Sequence, residues 1–261
     1  MDIVDYDDDV RGEMEFLAGF IIALAVGLTG VGAGSVTAPV LILFFGLPPA
    51  EAVGTALAFA AAIKLSVAPF YIVRNQVSGR VLSLLCAGGV PGVLLGVWLI
   101  GALDVRRYEN ILFFLLGATI VTMALFSLYR ALRHASRPAG KDRLRWLPWI
   151  AGGIGAEVGF SSAGAGALGS LTLLNLTSLT PAQVVGTDML FGLVLSLLGG
   201  GLHMTMGHFS SPILWKLIAG GLAGVFAGAN LSAILPSRPL RVGLALWLSA
   251  LGLQLCWKAL V

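Results

Sequence analysis

Four ionisable side chains lie inside apolar sequence: Lys64 in "ALAFAAAIKLSVAPFYIV", Glu157 in "GGIGAEVGFSS", Asp188 directly after Gly186-Thr187, and His203 shortly before Gly207. Lys64 stands ten residues from Arg74 and thirteen from Glu51. On a helix that is about 15 Å from the nearer end, more than a lysine stem can snorkel. An ammonium so placed needs a partner or water, and it is suited to facing an anion. The competing reading is a structural ion pair with Glu157 or Asp188. Glu157 could relay a proton. Asp188 could coordinate a cation, carry a proton or cap a helix start. His203 could titrate near neutral pH, although a lone histidine near a helix end is also simply interfacial.

Two glycine-rich stretches carry a second kind of chemistry. "TGVGAGS" spans 29–35 and "SSAGAGA" spans 161–167, each inside apolar sequence. Gly32 and Gly34 have no side chain, so their amides can approach a ligand. The run after them predicts a half-helix whose first turn offers free N–H donors and a positive dipole end. Ala33, Ser35 and Thr37 belong to that start, and Pro39 is expected near its first turn. The second copy offers Gly164 and Gly166, with the hydroxyls of Ser161 and Ser162 as further donors. The alternative is that the glycines only let helices pack closely.

These residues must be positioned by membrane helices. The chain has 261 residues, 57% hydrophobic and 11% charged, with mean hydropathy +0.94. Soluble domains carry about 25% charged residues. Apolar runs recur along the length, and the longest reach the roughly 20 residues that cross a bilayer. The expected fold is an all-α polytopic membrane protein with eight to ten membrane segments, some of them glycine-broken or half-length. Residues 1–13 read as an acidic tail unlike a signal peptide, so the first apolar run is expected to stay in the protein. Cys86 and Cys256 read as small hydrophobes, with no disulfide and no metal site. The net charge of +3 calls for no nucleic acid.

The chain also repeats. "GLTGVGAGSVTAPVLILFFGLPPAEAVGTALAF" at 27–59 lies over "GFSSAGAGALGSLTLLNLTSLTPAQVVGTDMLF" at 159–191, a gapless offset of 132 that pairs Gly27 with Gly159, Pro49 with Pro181 and Thr55 with Thr187. The register continues to "GGVPGVLLGVWLIGAL" over "GGLAGVFAGANLSAIL". The expected units are 14–132 and 147–261, joined by a basic linker at 133–146. The wider basic stretch, 130–145, holds six arginines and lysines, which places it in the cytoplasm of an inner (plasma) membrane protein. Trp146 and Trp149 follow as interface anchors. Residues 35–47 are too short for an ordinary span. If they count as a crossing, each half has five segments and the halves are inverted. Arg74, Arg80, Arg238 and Arg241 then fall inside. If they do not, the halves are parallel, and Arg238 and Arg241 fall outside against the rule. The charges favour inversion. Duplicated halves are common among secondary transporters.

"GLTGVGAGSVTAPVLILFFGLPPAEAVGTALAFAAAIKLSVAP", followed by "RNQVSGRVLSLLCAGGVPGVLLGVWL", resembles the TauE/SafE family of sulfite and organosulfonate transporters. Gly-Leu-x-Gly-x-Gly, Pro39, Pro48-Pro49, Ala-Val-Gly-Thr at 52–55 and Lys64 carry the likeness. The family often has three glycines where this chain has Gly32-Ala33-Gly34, which could alter the substrate. The resemblance implies transport of a small sulfur or carbon oxyanion, such as sulfite, sulfoacetate or a taurine-like sulfonate. Expected substrate-binding residues are Gly32, Ala33, Gly34, Ser35, Thr37, Thr55, Lys64, Ser161, Ser162, Gly164, Gly166 and Thr187. Glu157, Asp188 and His203 are the coupling candidates. Expected partners are a small anion, a coupling proton or sodium ion, the lipid bilayer and, as an open option, a second copy in a homodimer. No cofactor is expected. The chain contains no G-x-x-x-x-G-K-[ST], so secondary transport is favoured over a nucleotide-driven pump. A passive anion channel is the alternative. An intramembrane serine hydrolase using Ser161 or Ser162 with His203 is remote, because the first repeat has Thr29-Gly30 and Tyr71 in those places.

Overall fold

The computed structural model describes residues 3–29, 32–102, 109–132, 143–163, 166–231 and 237–260. Among them the regular structure is helical: α1 (Ile3–Thr29), α2 (Ala33–Phe44), α3 (Pro49–Val73), α4 (Gly79–Ala102), α5 (Glu109–Leu132), a 3-10 turn (Leu144–Trp146), α6 (Leu147–Ser161), α7 (Ala167–Leu176), α8 (Pro181–Thr205), α9 (Ser211–Leu231) and α10 (Ser237–Lys258). Five helices, α3, α4, α5, α8 and α9, contain segments long and apolar enough to cross a membrane. With its all-helical architecture and apolar composition, the chain is a multi-pass membrane protein. The first helix takes in the acidic residues 5–9 as well as the apolar run after them. Residues 133–142 of the basic linker lie outside the described residues.

Two helices are short. α2 has 12 residues and α7 has 10, about 18 and 15 Å long against a hydrocarbon core of about 30 Å. Each begins within one of the glycine stretches, α2 at Ala33 and α7 at Ala167. Pro39 departs from expectation. The first helical residue is Ala33, so Pro39 lies in the interior of α2. It has no N–H to offer the carbonyl of Ser35 four residues back.

Helix pairing follows a definite pattern. α1 packs along α9, and α4 along α6. Gly220, Gly224 and Gly228 of α9 meet the backbones of Phe16, Phe20 and Leu24, so these two helices run parallel. Gly88, Gly92 and Gly96 of α4 meet Pro148, Gly152 and Ala156 of α6 in the same direction. In both seams a glycine recurs every fourth residue, and a Cβ there would strike a carbonyl of the neighbour. Small residues at this spacing let membrane helices approach until their backbones touch.

α3 and α8 pack on each other in opposite directions. Gly54 meets His203 and His208, Leu57 meets Gly199, and Gln76 meets Gly186. α5 and α10 are also antiparallel, with Phe114 at Cys256 and Val121 at Gly252. Phe59 of α3 fills the notch at Gly221 of α9, and Phe191 of α8 fills the notch at Gly89 of α4. Both aromatic rings are fully buried. The lipid-facing exterior is apolar, with Trp98, Trp149, Trp215 and Trp257 all more than half exposed.

Candidate functional site

Lys64 sits on α3 where it faces α8. Its side chain is buried, and its Nζ donates to Ser196 Oγ at 3.1 Å across 132 residues of sequence. An ammonium carries three donors, and Ser196 takes one. Asp188, two turns earlier on α8, is close enough for its charge to act on Lys64. Asp188 is itself buried, and its Oδ2 accepts from Ser170 Oγ of α7 at 2.6 Å. It is interior to α8, which begins at Pro181 behind a Thr180–Gln183 capping box. The cap reading of Asp188 is therefore corrected: Thr180 already supplies the cap.

The two glycine stretches meet. Ser162 Oγ donates to the carbonyl of Gly34 at 2.9 Å, and a Cβ on Gly34 would collide with the carbonyl of Ser162. Gly32 caps α2 in an extended conformation with no side-chain cap, and Ala33 and Gly34 form its buried first turn. Ser35 Oγ donates to Gly32 O at 2.7 Å and Thr37 Oγ1 to Ala33 O at 2.8 Å. Both hydroxyls thus turn back onto their own helix and present only lone pairs elsewhere. In the second stretch Ser162 has φ 60 and Gly166 has φ 111. The latter lies far into the region that glycine alone enters readily. Gly164 lies outside the described residues.

Glu157 does not reach Lys64. Its Oε1 accepts from Ser161 Oγ at 3.0 Å, and the same hydroxyl accepts from the amide of Ala163 at 3.2 Å. The carboxylate therefore braces the second loop, and the ion-pair alternative with Glu157 falls. His203, in the last turn of α8, is fully buried within the protein, and its Nε2 lies 3.1 Å from the carbonyl of Gly159. Its partner ring is His208, with centroids 5.8 Å apart.

Thr55 and Thr187 are both fully buried and hold the start of another helix. Thr55 Oγ1 accepts from the amide of Ser210, just before α9, and Thr187 Oγ1 from the amide of Ser78, just before α4, each at 3.0 Å. The two bonds are matched, because both donor and acceptor differ by the repeat offset. Four participants were not singled out from sequence: Ser196, Ser170, Ser78 and His208. Ser196 was within reach, since it is the residue at the repeat offset from Lys64. Ser170 and His208 carried no such signal.

A short helix, α2, whose glycine start is held against the second glycine stretch, a buried lysine on a long apolar helix and a multi-pass fold fit a membrane transporter. The chain belongs to the TauE/SafE sulfite exporter family, whose model ("Sulfite exporter TauE/SafE") matches residues 15–255. It is similar to two proteins of Bacillus subtilis strain 168. "Probable membrane transporter protein YjnA" is 27% identical over 92% of this chain and 97% of that protein. "Probable membrane transporter protein YdhB" is 26% identical over 92% and 98%. A "Probable membrane transporter protein" of Haemophilus influenzae is 29% identical over 84% of this chain and 82% of its own length. No solved structure matches the chain.

Proposed function

We propose that this protein is a secondary active transporter of a small anion, most simply sulfite or a small sulfonate, bound between Lys64 and the paired glycine stretches. The carrying observation is the buried Lys64 ammonium hydrogen-bonded to Ser196. A buried cation within a membrane-spanning helix is expensive, and an anion arriving beside it offsets that cost. The family's description as sulfite exporters supports the substrate class. Gly32, Ala33 and Gly34 supply backbone amides at the start of α2. Ser161, Ser162 and Gly166 shape the facing loop. Thr55 and Thr187 act at one remove, by anchoring α9 and α4.

The two halves are read as an inverted repeat. Support comes from contacts that recur at the offset of 132: Lys64 with Ser196, Thr55 with Ser210 beside Thr187 with Ser78, and Phe59 at Gly221 beside Phe191 at Gly89. Corresponding helices α3 and α8 run antiparallel, as inversion requires. In this arrangement the linker is cytoplasmic, the turn at 74–78 is inside, and the turn at 206–210 is outside. The site then sits at the centre of the α3–α8 crossing, where either face can reach it by small tilts of one half against the other.

Binding is tested by melting purified protein in detergent against sulfite, thiosulfate, sulfoacetate, taurine, bicarbonate and acetate. A ligand of the native state raises the melting temperature. A sulfite or sulfonate shift that disappears in Lys64→Ala is the expected result. A response to carboxylates alone would reassign the substrate class.

A further inference from the structure

Lys64 and Ser196 are 132 residues apart, the offset at which the sequence aligns with itself, so their hydrogen bond joins a residue to its own repeat equivalent. The contacts around this bond are reciprocal. Gly54 faces the carbonyl of His208, and Gly186 faces that of Gln76. Thr55 accepts from Ser210, and Thr187 from Ser78. Phe59 lies at Gly221 and Phe191 at Gly89, while Gly220 faces Phe16 and Gly88 faces Pro148. In each of these sets the first-half and second-half members exchange places at the same offset. Such reciprocity is what a two-fold axis produces. A residue that touches its own equivalent lies on that axis, so the axis runs through the Lys64–Ser196 bond.

The Ser196 hydroxyl is also turned differently from those of other helical serines. Ser35, Ser66, Ser83 and Ser249 each donate to a carbonyl three or four residues back in the chain, a common habit of serine in helices. Ser196 Oγ instead accepts from Lys64 Nζ at 3.1 Å. Its own hydrogen, and two of the three on the ammonium, have no hydrogen-bond acceptor among the described residues. Both side chains are buried. Asp188 acts on Lys64 through its charge, while its Oδ2 accepts from Ser170. One turn to either side the positions are small and buried: Ala60 and Ala68 on α3, Gly192 and Gly200 on α8. Buried donors that lack acceptors call for an explanation, and these three point to a ligand rich in acceptors.

We propose that Ser196 is a substrate-binding residue, giving its O–H to the anion that Lys64 holds, at a site on the pseudo-two-fold axis where the two positions can exchange roles. This deepens the transport reading above and rests on it. The oxygens of a sulfite or sulfonate group accept hydrogen bonds from two N–H and one O–H, and those bonds are strengthened by the charges. A ligand on the axis is equally far from the turns at 74–78 and 206–210, because these turns are repeat equivalents. Entry from either face therefore meets the same pair of donors. Charge breaks the symmetry: the first half supplies the lysine, and the second has Asp188 where the first has Ala56.

Exchange of the two residues is the test, read as binding of sulfite and of methanesulfonate to purified full-length protein in detergent by titration calorimetry. Lys64→Ser alone is expected to lose binding. Lys64→Ser together with Ser196→Lys is expected to regain it, because the ammonium returns to the axis from the other helix. Ser196→Ala is expected to weaken binding by about tenfold or more, the effect of losing one hydrogen bond to a charged group. Ser196→Thr, which restores the hydroxyl, is expected to recover most of that loss. A folded exchange variant that binds neither anion overturns the proposal, and so does Ser196→Ala that binds as tightly as wild type. If the exchange variant fails to fold, the Ala and Thr variants at position 196 decide. Wild type that binds neither anion overturns this proposal together with the transport reading. Wild type that binds, beside Ser196→Ala of equal affinity, overturns this proposal alone.

Discussion

Lys64 and Ser196 carry the account at the scale of single residues. A hydrogen bond to a charged group contributes about 1.5–3 kcal/mol, and its loss leaves a buried ammonium short of a partner. Ser196→Ala is therefore expected to lower the melting temperature of the purified protein by several degrees and to weaken sulfite binding without abolishing it. Lys64→Ala removes the charge and is expected to abolish binding while folded protein remains in the membrane. Thermal unfolding and membrane yield, measured together, separate the two effects. Lys64 itself was legible from its type and its distance from either helix end. The partner was not, because a serine in an apolar run has no distinguishing pattern until the lysine's repeat mate is sought. Glu157 was legible as a buried carboxylate, but its hydrogen-bond partner was not, since Ser161 one helical turn away carries no mark of it.

Among elements, the parallel seams α1–α9 and α4–α6 fix the frame on which the short helices hang. Gly92 and Gly224 each face a carbonyl of the neighbouring helix, whereas Gly153 has nothing within contact range. Gly92→Leu and Gly224→Leu are expected to force their seams apart, costing at least the roughly 1–3 kcal/mol typical of overpacking. Gly153→Leu is the matched control and is expected to melt close to wild type. Gly34→Ala belongs to the same class, because its Cβ would strike the Ser162 carbonyl and separate the two glycine stretches. The half-length of α2 was readable from the 35–47 run, because helix length scales directly with residue number. The interior position of Pro39 was not: it depends on where the helix begins, and Gly32 supplies no side-chain cap that would mark the start. The glycine seams were visible as four-residue spacing, yet that spacing does not say which helix lies opposite.

For the whole molecule, the all-helical membrane fold followed from composition and run length alone, because a bilayer leaves few other ways to satisfy the backbone. Helix partners did not follow, since α1 packs against α9 and α6 against α4, far apart in sequence. The inversion of the halves proposed above has a topological consequence. In a chain lacking Cys86 and Cys256, Gln76→Cys and Arg137→Cys are expected to react with an impermeant maleimide from the cytoplasmic side, and Phe209→Cys from the other. Reaction of Gln76→Cys and Phe209→Cys from one common side would establish parallel halves instead. Under the function proposed above, this chain moves a small anion uphill through a site built on Lys64. The most direct measurement is sulfite uptake into proteoliposomes under an imposed ion gradient, with wild type and Lys64→Ala side by side. Wild type is expected to accumulate sulfite above equilibrium and to lose it when the gradient is dissipated, and Lys64→Ala to accumulate none. Flux that only follows the anion's own electrochemical gradient, or full accumulation in Lys64→Ala, would contradict it.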